Sequence, residues 1–596
     1  MTEKQSIMKC LQLTMLVASV SFLGQGCSSL AATSAVAAKP QTQEVAPQRH
    51  QAQVHSVSRQ RQDGAAYYQF LVGSLAERQG DLGTALRHYE EALASDPESI
   101  SVRMAIANLH MRSGMYQEAI NLGEEILTID PVNIEAHLLL ASAYLSIRNA
   151  RMAERYYQEV LRLEPDRADV YLQLGNLYTR TKKYTEAMEV YEQALAIDPN
   201  LYQARYNLAR VLLDTKQVEA AISQLEALLE LRPTFDQARL LLGLTHEGRR
   251  QWERARDVYR RGLKEDPTNR SFRERLALTY LRTGDRAEAL AQLQKMAAQE
   301  PGNLGLRNRI GLLLIELEMY EEAQNTLQEV LEVDKDNREA LLYLAISLEE
   351  QERYEEALAE LQKIPTGGEK YVDVLIHKGF VLGHLDRLDE ALAAFQEAQR
   401  LKPRDGNVHY LLGVTYLRRK EYPQAVKALE EAVLLNANNS SYQYQLGAAY
   451  ERNRQLGKAE QAFRRTLKMN PEYADAYNYL GYMFAEEGIH LKESVSLIKR
   501  ALELDPSNGA FVDSLGWAYY KLGRLDEALH ELQRAIELME KDDPTVRDHL
   551  GDVYFKKGMI PQAVEQWELS LGLDATNVKV KEKLQRARSP LLHGKE

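Results

Sequence analysis

Residues 169–200 read DVYLQLGNLYTRTKKYTEAMEVYEQALAIDPN, and the fold can be predicted from this segment. Its apolar residues recur at helical spacing in two runs, with a short polar turn between them. Small residues stand where the two helices must approach each other, at Gly175 in the first run and at Ala187 in the second. Pro199 lacks an amide hydrogen and cannot continue the second helix, so the unit ends there. The stretch therefore predicts a helical hairpin.

The same pattern recurs with a period of 34 residues along most of the chain. The prolines that end the unit are Pro97, Pro131, Pro165, Pro199, Pro233, Pro267, Pro301, Pro403 and Pro471. The small residue of the first run recurs as Gly73, Ala107, Ala141, Gly175, Ala209, Gly243, Ala277, Gly311, Ala345, Gly379, Gly413, Gly447, Gly481, Gly516 and Gly551. A period this strict, over about fifteen units, indicates one continuous repeat array.

The repeat resembles the tetratricopeptide repeat (TPR), because it matches that family at nearly every signature position. The resemblance implies an all-α fold, in which about fifteen hairpins between residues 65 and 577 form a right-handed superhelical solenoid. Residues 578–596 begin with a charged segment, and we expect them to form a capping helix and a tail. The array leaves no room for a separate catalytic domain, so we predict a protein that is not an enzyme.

Three places interrupt the period. Residues 364–368 contain a proline and two glycines, and they should cut short the second helix of the ninth hairpin. Residues 488–490 add one residue to the thirteenth hairpin, and residues 539–543 lengthen the connection before the fifteenth. Each place is either a bend in the array or loop variation of the kind that surface turns tolerate.

The sequence contains none of the common catalytic or cofactor-binding motifs. It has no GxxxxGK phosphate loop and no HExxH, GxSxG or CxxC pattern. His377 and His384 are two helical turns apart, but no third ligand accompanies them, so we expect neither a metal site nor a cofactor. The formal net charge of -12 argues against non-specific binding to nucleic acid, since a phosphate-binding surface needs a basic excess.

Residues 1–26 have the features of a targeting segment. Two lysines make its start basic, and residues 11–24 are mostly apolar but too short to span a bilayer. Cys27 follows a glycine and resembles the bacterial lipoprotein cleavage site, at which the cysteine is acylated and becomes the mature amino terminus. The family usually has Leu at the place that Gly24 holds here, so ordinary cleavage and an uncleaved anchor stay open as alternatives.

Cysteine usage agrees with acylation at Cys27. The only other cysteine, Cys10, lies inside the leader, so the mature chain would carry one thiol and no disulfide. Ser28 comes next, whereas lipoproteins kept at the inner membrane often have Asp there. The resemblance therefore implies a palmitate-bearing protein, anchored in the outer membrane and facing the periplasm. Residues 27–64 are rich in Ala, Ser, Gln and Pro, and their composition predicts a disordered, lipid-anchored tether.

The first helices provide the candidate binding surface, because in a TPR solenoid they line the concave groove. The residue after each small residue points into that groove, as does the residue four positions before it. The candidate protein-binding groove consists of Leu244, Leu278, Leu312, Ile346, Phe380, Val414, Tyr410, Tyr444, Tyr482 and Trp517. We expect an exposed apolar ridge that binds an extended segment or a helix of another protein. The alternative is that the ridge packs within the superhelix or is covered by the tether.

A more specific TPR function can be tested against the residues. TPR domains that clamp a carboxyl-terminal carboxylate use two Asn residues of neighbouring repeats together with Lys and Arg. Asn176 and Asn207 are 31 residues apart, which is the spacing of such a clamp. The places of its cations hold Leu172, Gln237 and Leu241. Two Asn without cations do not bind an anion strongly, so we reject this function.

Residues 512–538 and 547–571 resemble the closing repeats of TPR lipoproteins from Gram-negative envelopes. Some of these relatives are adaptors that dock a periplasmic carboxyl-terminal processing protease and deliver its substrates, including cell-wall hydrolases. The resemblance implies a non-enzymatic scaffold for other envelope proteins, attached to the membrane through its N-terminal lipid and without a nucleic-acid partner. The alternative is an assembly factor for an exported polysaccharide, a pilus or a secretion channel.

Overall fold

The computed structural model describes residues 56–368 and 370–593, and every regular element in these ranges is a helix. The leader, Cys27 and the tether as far as residue 55 lie outside the described residues. The helices of the described ranges are α1 Ser56–Arg78, α2 Leu82–Ser95, α3 Ile100–Arg112, α4 Tyr116–Ile129, α5 Ile134–Ser146, α6 Ala150–Leu163, α7 Ala168–Arg180, α8 Tyr184–Ile197, α9 Tyr202–Asp214, α10 Val218–Leu231, α11 Asp236–Gly248, α12 Trp252–Glu265, α13 Arg270–Thr283, α14 Arg286–Gln299, α15 Leu304–Glu316, α16 Tyr320–Val333, α17 Arg338–Glu350, α18 Tyr354–Lys363, α19 Tyr371–His384, α20 Leu388–Leu401, α21 Gly406–Arg418, α22 Tyr422–Leu435, α23 Ser440–Arg452, α24 Leu456–Met469, α25 Ala474–Glu486, α26 Leu491–Leu504, α27 Gly509–Lys521, α28 Leu525–Leu538, α29 Pro544–Lys556, α30 Ile560–Leu573 and α31 Val578–His593.

The helices alternate as the first and second helices of fifteen consecutive hairpins, and α31 follows the last one. Odd-numbered helices up to α29 are therefore first helices, and even-numbered helices are second helices. The predicted all-α repeat fold is confirmed. No helix within residues 56–368 and 370–593 combines the length and the apolar character needed to cross a membrane.

The described residues divide into two compact units at Leu314, which lies inside helix α15. The first unit contains helices α1 to α14, and the second contains α16 to α31. Within each unit, each hairpin packs on the next one along the chain. Each unit thus has an elongated core made of hairpin interfaces.

In most hairpins, a small residue of the first helix faces a large side chain of the second helix. In the hairpin of α7 and α8, a Cβ atom added to Gly175 would lie 2.7 Å from Cδ1 of Tyr191. The Tyr191 side chain is fully buried, as are Ala187 and Ala194 on the same helix. Glycine lets the ring lie directly on the first helix, and this close approach explains why small residues carry the period.

The turn inside the hairpin uses the left-handed backbone region. The residue seven positions after the small residue has a positive φ, as in Lys182 at 60° and Gly558 at 78°. Glycine adopts this conformation without strain, whereas a residue with a side chain loses about 1–2 kcal/mol there. Hairpin packing therefore offsets a local backbone cost at those turns that lack glycine.

A polar side chain of the first helix holds the loop that precedes it. Arg205 donates from Nη2 to the carbonyl oxygen of Pro199 over 3.0 Å, and Arg239 donates in the same way to Pro233 over 2.5 Å. In the second unit, Nε2 of His409 lies 2.9 Å from the carbonyl oxygen of the proline six residues earlier. These contacts satisfy the proline carbonyl and fix the connection between hairpins.

Helix α1 begins earlier than the sequence predicted. It starts at Ser56, so residues 56–64 are helical, and the predicted tether is wrong over these residues. The segment contains no proline and is rich in Arg and Gln, which are good helix formers. Once the first hairpin fixes the helix, each added residue extends it at little cost.

The predicted interruptions appear as changes in helix length and backbone. Helix α18 has 10 residues, whereas the other second helices have 14, so residues 364–368 do cut it short. His490 adopts a left-handed φ of 48° immediately before α26. The connection before α29 spans residues 539–543.

Helix α31 closes the C-terminal end of the second unit. Its Val580, Leu584 and Ala587 are buried in one cluster with Ala563 and Trp567 of α30. The apolar side of the last second helix is therefore covered, as solubility of a solenoid end requires.

Candidate protein-binding surface

In the first unit, the groove position carries a leucine on three consecutive first helices. Leu244 of α11, Leu278 of α13 and Leu312 of α15 each follow the small residue of their helix. All three side chains are half-buried, so each keeps apolar surface open to solvent. We call these three residues the leucine row.

The earlier first helices of this unit carry polar residues at the same position. One of them, Asn176, accepts a hydrogen bond at Oδ1 from Nδ2 of Asn207 over 2.7 Å. The hydroxyl of Tyr191 donates to the same oxygen over 2.9 Å. Asn176 and Asn207 thus bond to each other, which gives the pair a structural role in place of the anion clamp.

In the second unit, the predicted ridge is mostly buried. Its buried members are Ile346, Phe380, Tyr410, Val414 and Trp517. None of the five is more than 7% exposed, so the prediction that these side chains are exposed is wrong. Tyr444 and Tyr482 are half-buried and keep part of their surface open to solvent.

Aromatic contacts between neighbouring first helices account for part of this burial. Tyr410 of α21 stacks on Tyr442 of α23 with 4.7 Å between ring centroids. Trp517 of α27 stacks on His549 of α29 with 4.0 Å between centroids. Large flat side chains at these positions fill the space between consecutive first helices, and each ring hides the face of the other.

Polar contacts also hold Trp517. Its Nε1 donates to Oε2 of Glu486 on α25 over 2.8 Å, and Nζ of Lys521 lies 4.7 Å from the ring centroid. The stacked His549 places Nδ1 2.9 Å from Oδ1 of Asp513, and both of these side chains are buried. Trp517 therefore connects three first helices, α25, α27 and α29.

The acids around His549 favour its protonated form. Burial alone would lower the pKa of His549, but Asp513, with Asp548 and Asp552 nearby, outweighs burial and raises that pKa above the usual 6.5. Lys583 of α31 donates to Asp548 over 2.7 Å and to Asp552 over 2.8 Å. A cluster of charges thus joins α27, α29 and the capping helix.

A second buried acid and histidine pair joins α17 and α19. Nδ1 of His377 lies 2.9 Å from Oε2 of Glu349. Burial would lower the pKa of His377, but the Glu349 carboxylate outweighs burial and raises it. His384 instead stacks on Tyr354 with 4.6 Å between centroids. Among the described residues, no three His, Cys, Asp or Glu side chains converge on a point that a metal ion could occupy.

Sequence reasoning missed both buried pairs. The acids lie 28 and 36 residues from their histidines, on neighbouring first helices. A single first helix shows no sign of them. The available signal is the 34-residue period itself, because residues about one period apart on successive first helices are neighbours in space.

One of the half-buried tyrosines of the second unit, Tyr444, belongs to an aromatic group. Tyr444 of α23 stacks on Tyr473 with 5.1 Å between centroids and meets the edge of Tyr479 at 6.0 Å. The Tyr479 hydroxyl donates to Oε2 of Glu451 over 3.2 Å. Burial raises the pKa of Tyr482, so this phenol stays neutral and presents an apolar ring with a polar tip.

The hairpins are stacked, and several of their first helices carry half-buried apolar side chains. These features are typical of helical-repeat scaffolds, which bind other proteins. Family models described as tetratricopeptide repeat match residues 76–122, 138–201, 178–245, 240–303 and 304–337. The model of the C-terminal domain of cilia and flagella-associated protein 70, whose name includes TPR, matches residues 339–587. The chain belongs to the tetratricopeptide repeat family.

Relatives and solved structures share the repeat. A TPR repeat-containing protein of Pseudomonas aeruginosa is 37% identical over 67 residues, which is 11% of each chain, so the match spans only about a tenth of that relative. The APC/C hetero-tetramer Cut9-Hcn1 aligns with a TM-score of 0.37 and 17% identity, over 88% of this chain and 96% of that one. YrrB, a TPR protein with an unusual peptide-binding site, aligns with a TM-score of 0.27 and 20% identity, over 31% of this chain and 94% of that one. These likenesses concern the repeat fold alone.

Proposed function

We propose that this chain is a non-enzymatic, lipid-anchored scaffold that binds other proteins in the periplasm. The observation that carries the proposal is the leucine row, which repeats a half-buried apolar side chain on three consecutive first helices. A partner segment laid across these helices would remove that surface from water. Full burial of an exposed leucine is worth about 1.5–3 kcal/mol, so the remaining burial of three half-buried leucines contributes a useful part of a binding energy.

The anchoring part of the proposal rests on Cys27. This residue follows a basic and then apolar leader and is the single cysteine after it. Acylation at Cys27 would attach the array to the membrane through residues 28–55, and Ser28 favours the outer membrane with the array in the periplasm. The partners we propose are envelope proteins, in particular a carboxyl-terminal processing protease and its cell-wall hydrolase substrates, on the strength of the resemblance in residues 512–538 and 547–571.

The anchor is tested by metabolic labelling with an alkyne analogue of palmitate. Cys27→Ala should abolish labelling and move the protein out of the membrane fraction, because the acceptor thiol is gone. Cys10→Ala is the matched control, since it removes the other cysteine and should leave labelling intact. Labelling that survives Cys27→Ala would refute the anchor.

The scaffold role is tested by co-purification from detergent-solubilised envelopes. Replacing Leu244, Leu278 and Leu312 together by Ser should reduce recovery of the partner at least tenfold while the chain stays folded, since all three side chains are half-buried. The control is Leu434→Ser on the second helix α22, where the leucine is 72% exposed. A processing protease or a hydrolase in the wild-type eluate supports the adaptor, whereas pilus, secretin or polysaccharide-export subunits would refute it.

A further inference from the structure

Helix α1 exposes large apolar side chains at the N-terminal end of the first unit. Tyr68 is 64% exposed, Leu71 is 49% exposed and Leu75 is 57% exposed. The three residues are spaced at i, i+3 and i+7, so they lie on one face of the helix. We call this surface the α1 face. The free end of a repeat array is ordinarily polar, because an apolar end attracts other chains.

The α1 face occupies positions that the rest of the array buries. Tyr68 lies five residues before the small residue Gly73, and Leu75 lies two residues after it. In every later first helix, the residue equivalent to Tyr68, five positions before the small residue, is buried. At the position of Leu75, every later first helix also has a buried residue, except that Thr245 is half-buried.

The second helix of the preceding hairpin is what buries these positions elsewhere. In α3, the equivalent Val102 and Leu109 belong to one cluster with Ala85, Tyr89 and Ala92 of α2. Helix α2 thus presents a small, an aromatic and a small residue at i, i+4 and i+7. Helix α31 makes the same contact on α30, because Val580 and Ala587 hold the equivalent positions. The α1 face is therefore one half of an interface that forms at each of the later first helices.

We propose that the α1 face docks an amphipathic helix of a partner protein, and that this helix presents the small, aromatic, small pattern that α2 and α8 present. The contact extends the stack by one helix. It rests on the proposed scaffold function but uses a surface separate from the leucine row. The chain then holds one partner segment on its first-helix groove and another at the N-terminal end of the stack.

A second copy of the chain does not provide the complementary helix. The matching surface in another copy is the outer side of α30, and α31 covers it through Val580, Leu584 and Ala587. Head-to-tail stacking of copies is therefore blocked. Pairing two α1 faces would join two first helices at positions where the array always joins a second helix to a first.

The chain's own N-terminal segment does not have the required pattern either. Residues 28–55 contain no Phe, Tyr or Trp, so they lack the aromatic residue of the pattern. A helix of a partner protein is the occupant that remains.

The test uses the full mature chain and a fluorescein-labelled, hydrocarbon-stapled peptide that copies residues 184–197. Stapling removes the cost of forming a short isolated helix. Fluorescence anisotropy should show saturable binding, and Leu75→Lys should weaken it at least tenfold. A peptide with Ala194→Lys should bind equally poorly, because the charge falls on the small-residue face. Leu434→Lys on the exposed part of α22 is the control and should bind the peptide as the wild type does.

Each other outcome overturns the proposal. Absence of saturable peptide binding overturns it, and so does equal binding by the wild type and Leu75→Lys. If sedimentation shows self-association that Leu75→Lys abolishes, the occupant is a second copy; if Leu75→Lys abolishes binding to phosphatidylglycerol vesicles instead, it is a lipid surface. Circular dichroism of Leu75→Lys should match the wild type, since the replaced side chain is exposed, and Tyr68→Glu provides a second variant. Leu278→Ser should leave peptide binding unchanged. Loss of peptide binding at the α1 face can therefore be distinguished from loss of partner binding at the leucine row.

Discussion

The two units are built from one repeat, yet the apolar side chains at the groove position are half-buried in the first unit and, except for Tyr482, buried in the second. In the first unit, the leucines after the small residue remain half-buried, whereas in the second unit Phe380, Val414 and Trp517 are buried among their neighbours. Their charge differs as well. Residues 56–313 contain 34 Lys and Arg against 35 Asp and Glu, and residues 314–596 contain 36 against 49. The signature residues thus fix the hairpin and leave the next position free to serve binding or packing.

The largest expected difference between the units comes from truncating one groove residue in each. Trp517→Ala removes a buried ring that stacks on His549 and bonds to Glu486, so it should cost about 3–5 kcal/mol. Leu278→Ala in the first unit removes a half-buried side chain and should cost about 1 kcal/mol or less. Hydrogen exchange measured by mass spectrometry assigns each loss to its helices. Equal losses at the two positions would refute the contrast.

The contact that closes the hairpin should be sensitive in both units, but more so against a rigid ring. Gly243→Ala in the first unit forces a methyl group into the ring of Tyr259, and Gly413→Ala in the second forces one into the branched side chain of Leu429. Overpacking of this kind costs about 1–3 kcal/mol. We expect the loss in urea denaturation to be greater for Gly243→Ala, since the leucine can change rotamer and a ring cannot shrink. Gly248→Ala is the control, because nothing lies within 4 Å of its added Cβ.

The second unit should lose stability as the pH rises above neutrality. Its buried His549 has a raised pKa in the folded state, so the stability from its pairing with Asp513 is fully present below about pH 6.5. That stability is lost as the pH rises through the raised folded pKa. The urea concentration that unfolds α27 and α29, followed through hydrogen exchange of these helices, should therefore be lower at pH 8.5 than at pH 6. A double variant, His549→Gln with Asp513→Asn, should flatten this dependence, and an unchanged slope would show that the pair does not titrate.

The smallest effects should come from the left-handed turn inside the hairpin. Lys182→Gly in the first unit should stabilise its hairpin by up to about 1 kcal/mol, because glycine accepts φ of 60° without strain. Gly558→Ala in the second unit should destabilise its hairpin by about 1 kcal/mol for the same reason. Thermal melting of the two variants beside the wild type measures both. Shifts of the same sign would show that backbone strain at this turn does not set the stability of the hairpin.

The fold followed from the sequence because its determinants are local and repeated. Gly175, Ala187 and Pro199 each constrain the backbone within one hairpin, and their period carries the result along the array. The short helix α18 followed equally from the proline and glycines after it. The start of α1 at Ser56 did not, because a polar helix that extends from a packed hairpin has no apolar period to reveal it.

The groove followed from the sequence only in part. An apolar residue after the small residue predicts which way a side chain points, and Leu278 agrees with that reading. Whether the side chain is covered depends on the neighbouring first helix, about one period away. Trp517 is buried because His549 lies on α29 and Glu486 on α25, and neither neighbour is visible in the sequence of α27.

In-cell photocrosslinking can show whether the leucine row of the first unit is a protein-binding surface. The photoreactive residue p-benzoylphenylalanine is incorporated in place of Leu278 or, as the control, in place of Leu434 on α22. We expect a discrete crosslinked band at position 278, identified by mass spectrometry as an envelope protein, and no such band at position 434. The absence of a crosslink at position 278, or the same band at both positions, would contradict it.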